Sequence, residues 1–148
     1  MTDRAPKDWD SLYRPENSPV YLSLPVTLAA VAGTVHYRLG VADWHGLVAF
    51  RFHALPQAAL ALSPTAFHTF RPFISTVKNG AASVRYLGAG RSTAFTSLLI
   101  DAPLRLHAEE NFNEDLPVGA LVGLDIVTTG TPDATRLLIQ AGYIRTRR

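Results

Sequence analysis

The chain has 148 residues, a formal net charge of +2, 47% hydrophobic and 18% charged residues, and no cysteine. That composition belongs to one globular domain and excludes a disordered, collagenous or coiled-coil chain. Without cysteine there is no disulfide framework, no thiolate nucleophile and no Cys-ligated zinc or iron–sulfur site.

Residues 1–19 carry Pro6, Pro15 and Pro19, mixed charge and no period, which predicts an extended N-terminal arm ahead of a domain over 20–148. Trp9 and Tyr13 sit inside the arm. Both are costly to leave in water, so they are assigned to contact with the body or with a neighbouring subunit. The arm has no early apolar core of a signal peptide, and no run in the chain approaches the roughly 18–20 apolar residues of a membrane span. The expectation is a soluble, non-secreted protein with no membrane partner.

From Val20 onward the prevailing period is two. Val35, Tyr37 and Leu39 alternate with His36 and Arg38; Phe50, Phe52 and Ala54 alternate with Arg51 and His53. Val84 and Tyr86 alternate with Arg85, Leu104 and Leu106 with Arg105, and Leu137, Ile139, Ala141 and Tyr143 with more polar positions. Successive strand side chains point to opposite faces, so each run predicts a strand with one core face. Residues 95–100 and 118–127 are apolar on both faces and predict central strands covered on both sides, or strands buried against a neighbour. Asn79-Gly80 is a hairpin signal, because both residues tolerate positive φ. Ser63-Pro64 reads as a helix cap followed by proline at the first helical position, predicting a short helical insertion near 56–72. The count, about seven or eight strands, predicts a single-domain antiparallel β-sandwich, jelly-roll-like, with a closed small β-barrel as the alternative.

No catalytic set emerges. His36 and His53 fall on the polar faces of neighbouring predicted strands, with Arg38 and Arg51 beside them. Pairing of those strands through the Asp43-Trp44-His45-Gly46 turn would gather a cationic patch for phosphate, carboxylate or a nucleic-acid backbone. An ordinary solvated face is the plainer reading, and Asp43 with His45 reads more simply as turn chemistry than as an oriented base. The stretch HAEENFNED holds His107, Glu109, Glu110, Glu114 and Asp115, whose oxygens suit calcium, but its spacing is not that of an EF-hand. A hydrophilic connecting loop is preferred there. No metal or other cofactor is expected.

Function is read by subtraction and surplus. Leu99, Leu121, Val127, Leu138 and Ile144 are assigned to faces opposite the main apolar rows of their strands. Gathered on one surface, they would make an apolar patch too large for a monomer. Together with Trp9 and Tyr13 they predict a non-catalytic, self-assembling subunit, such as a viral or phage capsid or decoration protein, carried in the virion. Its partners would be copies of itself and a second shell protein. The arm is not polybasic, so nucleic acid is the lesser reading. The alternative is a cytoplasmic ligand-binding barrel or a cyclase or isomerase. Tyr37, Phe50, Phe52 and Tyr86 would line its cavity, with His53 or Asp43 at the mouth.

Overall fold

The alternating runs are strands. The computed structural model describes residues 20–41, 46–87, 90–106, 112–116 and 119–145, and their side chains except at 20, 46–50, 78, 112–116 and 143–145. In chain order the strands are β1 (Val20–Leu28), β2 (Gly33–Val41), β3 (Gly46–Pro56), β4 (Phe67–Lys78) and β5 (Ala81–Tyr86). They continue with β6 (Arg91–Ser92), β7 (Leu104–Arg105), β8 (Phe112–Leu116), β9 (Leu121–Thr129) and β10 (Thr135–Arg145).

They form two antiparallel sheets. The first runs β1-β10-β3-β7, with β8 also on β3; the second runs β2-β9-β4-β5, with β6 also on β4. The first strand pairs with the last, the second with the next to last, and the fourth with the fifth. Successive strands alternate between sheets over β1–β4 and over β8–β10, while β4 to β6 and β7 to β8 each stay within one sheet; this is the order of one long hairpin rolled up, a jelly roll. The described strands do not close into a barrel.

The core lies between the inner faces. One sheet supplies Val26 and Leu28 of β1, Phe52 and Ala54 of β3, and Leu137, Ile139 and Ala141 of β10. The other supplies Phe70 and Ile74 of β4 and Val122, Leu124 and Ile126 of β9. Each large side chain removed from water in this way contributes about 1.5–3 kcal/mol before entropy is charged against it. β9 is a central strand flanked by β2 and β4, which explains the nearly unbroken apolar run over 121–127.

Residues 56–72 contain no helix. The cap signal is real: Ser63 Oγ accepts hydrogen bonds from the backbone N–H groups of Thr65 (3.4 Å) and Ala66 (3.1 Å). The turn stops there because Phe67–Lys78 is rich in aromatic and β-branched residues, and its backbone is satisfied along β9 instead. Pro72 lies inside β4 and offers no N–H to the strand beside it. At that level β5 has ended at Tyr86, Leu87 N–H donates to Pro72 O (2.8 Å), and β6 begins only at Arg91.

Residues 95–100 are likewise not a strand. A single bridge pairs Leu98 with Leu60, and only Leu98 of this stretch is buried in the core. The cavity of the barrel alternative is not assembled either. Phe52 is packed in the core, whereas Tyr86 lies on the outer face of the other sheet.

Candidate functional site

The outer face of the β2-β9-β4-β5 sheet holds a connected group of polar and aromatic contacts. Register places His36 of β2 and Arg71 of β4 on either side of Asp125 of β9. One step along, Gly123 pairs with Phe73, and Phe73 pairs with Tyr86 of β5. Asp125 belongs to the face opposite Val122, Leu124 and Ile126, yet it is only 4% exposed. A carboxylate so covered must be satisfied by donors. His36 Nδ1 lies 2.5 Å from Oδ1, and Tyr86 O–H donates to Oδ2 at 2.5 Å.

Phe73 provides the cover. Its ring stacks on His36, with centroids 4.3 Å apart and planes at 20°, and meets Tyr86 edge-on at 6.3 Å. Gly123 makes this possible: a Cβ there would collide with the Phe73 ring and with the Tyr37 carbonyl oxygen. The Arg71 guanidinium lies 4.0 Å from the centre of the Tyr86 ring, a cation–π contact. The hydrogen bond to Asp125, then desolvation and the nearby negative charge, raise the Tyr86 phenol above its usual 10.0, with Arg71 opposing. Tyr86 therefore stays a donor at neutral pH. One carboxylate thus ties β2 and β5, the two outer strands of this sheet, to β9 at its centre. Because a carboxylate only accepts, His36 presents Nδ1–H to Asp125.

The expected cationic patch is divided. β2 and β3 belong to different sheets, so His36 and Arg38 are separated from Arg51 and His53. The jelly-roll connection carries the chain across the sandwich between them, where a hairpin would have kept them together. On the first sheet His53 pairs with Arg105, which joins Arg51 and His53 in a basic group not foreseen from the sequence. Burial lowers the His53 pKa from its usual 6.5, and the charges of Arg51 and Arg105 lower it further.

The predicted contact residues occupy different surfaces. Leu121 and Val127 lie on the outer side of β9, Leu138 on the outer side of β10, and Leu99 in the loop before β7. Leu121, Val127 and Leu138 are half-buried, while Leu99 is 59% exposed. Leu138 lines an open groove of about 340 Å³ with Leu55, Pro56 and Pro103. The Ile144 side chain, Trp9, Tyr13, Asp43, His45, His107, Glu109 and Glu110 fall outside what is described, and Glu114 and Asp115 are placed only as backbone in β8. Among the described residues no three His, Asp or Glu side chains gather at metal-binding distance.

Asp125, Tyr86, Phe73 and Arg71 were not singled out from the sequence as a group. A usable signal was present: Asp125 is a lone carboxylate in the apolar run LVGLDIV, and such a residue must find partners. His68 is a second buried polar group. It is fully buried on the core side of β4, its Nδ1 lies 2.9 Å from Thr128 Oγ1, and its Nε2 has no partner among the described residues. Burial holds its pKa below the usual 6.5.

The fold defines this chain as a jelly-roll β-sandwich. No family model and no curated protein matches it. Among solved structures it is similar to infectious bursal virus derived T=1 particles, with 13% identity, a TM-score of 0.44, and 86% of this chain against 32% of that one covered. It is also similar to infectious bursal disease virus Gx strain (15% identity, TM-score 0.41, 88% and 33% covered) and to the VP2 subviral particle of infectious bursal disease virus (11%, 0.41, 88% and 33%). The chain spans about a third of the length of these solved chains.

Proposed function

We propose that this chain is a structural subunit that assembles with copies of itself into a shell or onto one, as a coat or decoration protein carried in a virion. The observation that carries the reading is the apolar surface beside the Leu60–Leu98 bridge. Phe95 is 83% exposed, Leu99 59%, Ile100 57% and Leu62 49%, all on two chain segments joined by that bridge. These segments are anchored: Ser63 N–H donates to Thr93 O, Leu62 N–H to Ser97 Oγ, and Leu98 is buried beneath them. A fixed apolar cluster facing water favours burial against another protein surface.

In this reading the concave partner surface is the open groove lined by Leu55, Pro56, Gln57, Asp101, Pro103 and Leu138 of the next copy. A projecting patch on one copy entering a groove on the next is a heterologous contact, which closes into a ring where the rotation between copies allows it and otherwise runs on as a filament. In this reading Leu121 and Ile144 belong to further contacts, and Trp9 and Tyr13 extend them from the N-terminal segment. The outer faces that carry Arg51, His53 and Arg105, and separately His36 and Arg38, lie against neighbouring copies. The test is the double variant Phe95→Ser, Ile100→Ser, compared with wild type by light scattering and by circular dichroism. The reading expects loss of assembly with the circular dichroism of the folded chain unchanged; assembly equal to wild type would overturn this contact.

A further inference from the structure

The edges of the two sheets are not treated alike. A strand edge displays unpaired N–H and C=O groups, and proteins blunt such edges with proline, bulges, lysine or shortness. β1 carries Pro25 at its middle. β2 loses regular register between Arg38 and Gly40. β7 is two residues long, and so is β6. β5 has none of these features: AASVRY holds unbroken register with β4 over six residues, without proline, lysine or bulge, and all six residues are exposed.

The turn determines which backbone groups face outward. Asn79 and Gly80, with φ of 53° and 78°, form a two-residue loop, so Lys78 and Ala81 are a hydrogen-bonded pair. Bonded and non-bonded pairs alternate from there. Thr76 with Ser83 and Ile74 with Arg85 bond within the hairpin, and the Leu87-to-Pro72 bond continues the alternation. Ala82, Val84 and Tyr86 therefore direct their N–H and C=O groups away from β4.

We propose that β5 is a self-association edge, pairing antiparallel with β5 of a second copy about a two-fold axis through Val84 and joining two sheets into one. This rests on the self-assembly reading and names one of its contacts. The register is self-complementary. Val84 meets Val84, large Tyr86 meets small Ala82, and Arg85 meets Ser83, so no like charges oppose each other. Val84, Ala82 and Tyr86 share the outer face of the sheet, and pairing places them beside their counterparts in the second copy. An isologous contact of this kind recurs in closed assemblies. Six residues a side bury less than the roughly 800 Å² per partner of a standard interface, so a single contact is weak and gains strength by repetition.

The test uses Val84→Pro and Val84→Lys with amide hydrogen exchange on the full chain. Because the Val84 backbone does not bond to β4, proline there removes only an outward donor, and circular dichroism with melting checks that the fold persists. Val84→Thr is the control that keeps the edge. The proposal expects the Ala82, Val84 and Tyr86 amides to be protected only in the associated wild type. It expects self-association to weaken about tenfold or more in the Pro and Lys variants and to survive in the Thr variant. If wild type associates while those amides exchange as in the monomer, or both blunted variants associate equally well, the edge is refuted and the broader reading stands. A wild type that remains monomeric up to near-millimolar concentration overturns both.

Discussion

Replacing Asp125 with asparagine tests whether one carboxylate holds the outer face of the second sheet. In wild type it lies within hydrogen-bond distance of His36 and Tyr86, both at 2.5 Å, under the cover of Phe73. Hydrogen bonds to a charged acceptor contribute about 1.5–3 kcal/mol each, which gives about 3–6 kcal/mol for two in a dry site. This site is not dry. The His36 side chain is 37% exposed and Tyr86 38%, so both donors recover water when the acceptor is lost. Asparagine also keeps one carbonyl oxygen in place. The expected loss is therefore about 1–2 kcal/mol for asparagine and about 2–3 kcal/mol for alanine. Urea unfolding followed by circular dichroism at neutral pH measures it. A cycle with Tyr86→Phe isolates the pair, and the double variant should lose less than the sum of the singles. A change below about 0.5 kcal/mol in Asp125→Ala would refute the claim that this carboxylate ties the strands together.

Two further outcomes follow from the same geometry. His68 is buried with its pKa lowered by desolvation, so the unfolded chain binds the proton more readily. Stability is then full above the ordinary value of 6.5 and declines as pH falls below it; melting curves between pH 5 and 8 should show this slope, reduced in His68→Leu. Gly123→Ala should destabilise by about 1–3 kcal/mol through overpacking, and Phe73→Leu in the same chain should recover part of that loss, since the ring is one of the two obstacles.

The strands themselves were legible because alternation is local. The runs around Tyr37, Phe52, Val84 and Ile139 all became strands, and the faces assigned to His36, Arg38, Arg51 and His53 were the outer ones. The Asn79-Gly80 turn made the β4–β5 pairing legible, but the other strand partners were not, because a jelly roll sends β1 to β4 to opposite sheets in turn and no local residue records that. This is why His36 and His53 looked like neighbours in the sequence but lie in separate sheets. The capping role of the Ser63 side chain was legible, but the helix predicted to follow it is absent. Residues 95–100 show the limit of composition: an apolar run predicted a strand covered on both sides or buried against a neighbour, yet it forms no strand and Phe95, Leu99 and Ile100 face water. Their apolar character fits a partner surface in place of a core position.

The central claim is that apolar side chains left outside this jelly roll are covered by sister molecules. The mass of the purified full chain in solution, followed from low to high micromolar concentration, tests it most directly. The account predicts a discrete, many-copy particle or a mass that climbs with concentration toward one. A stable mass of one chain across the whole range would contradict it.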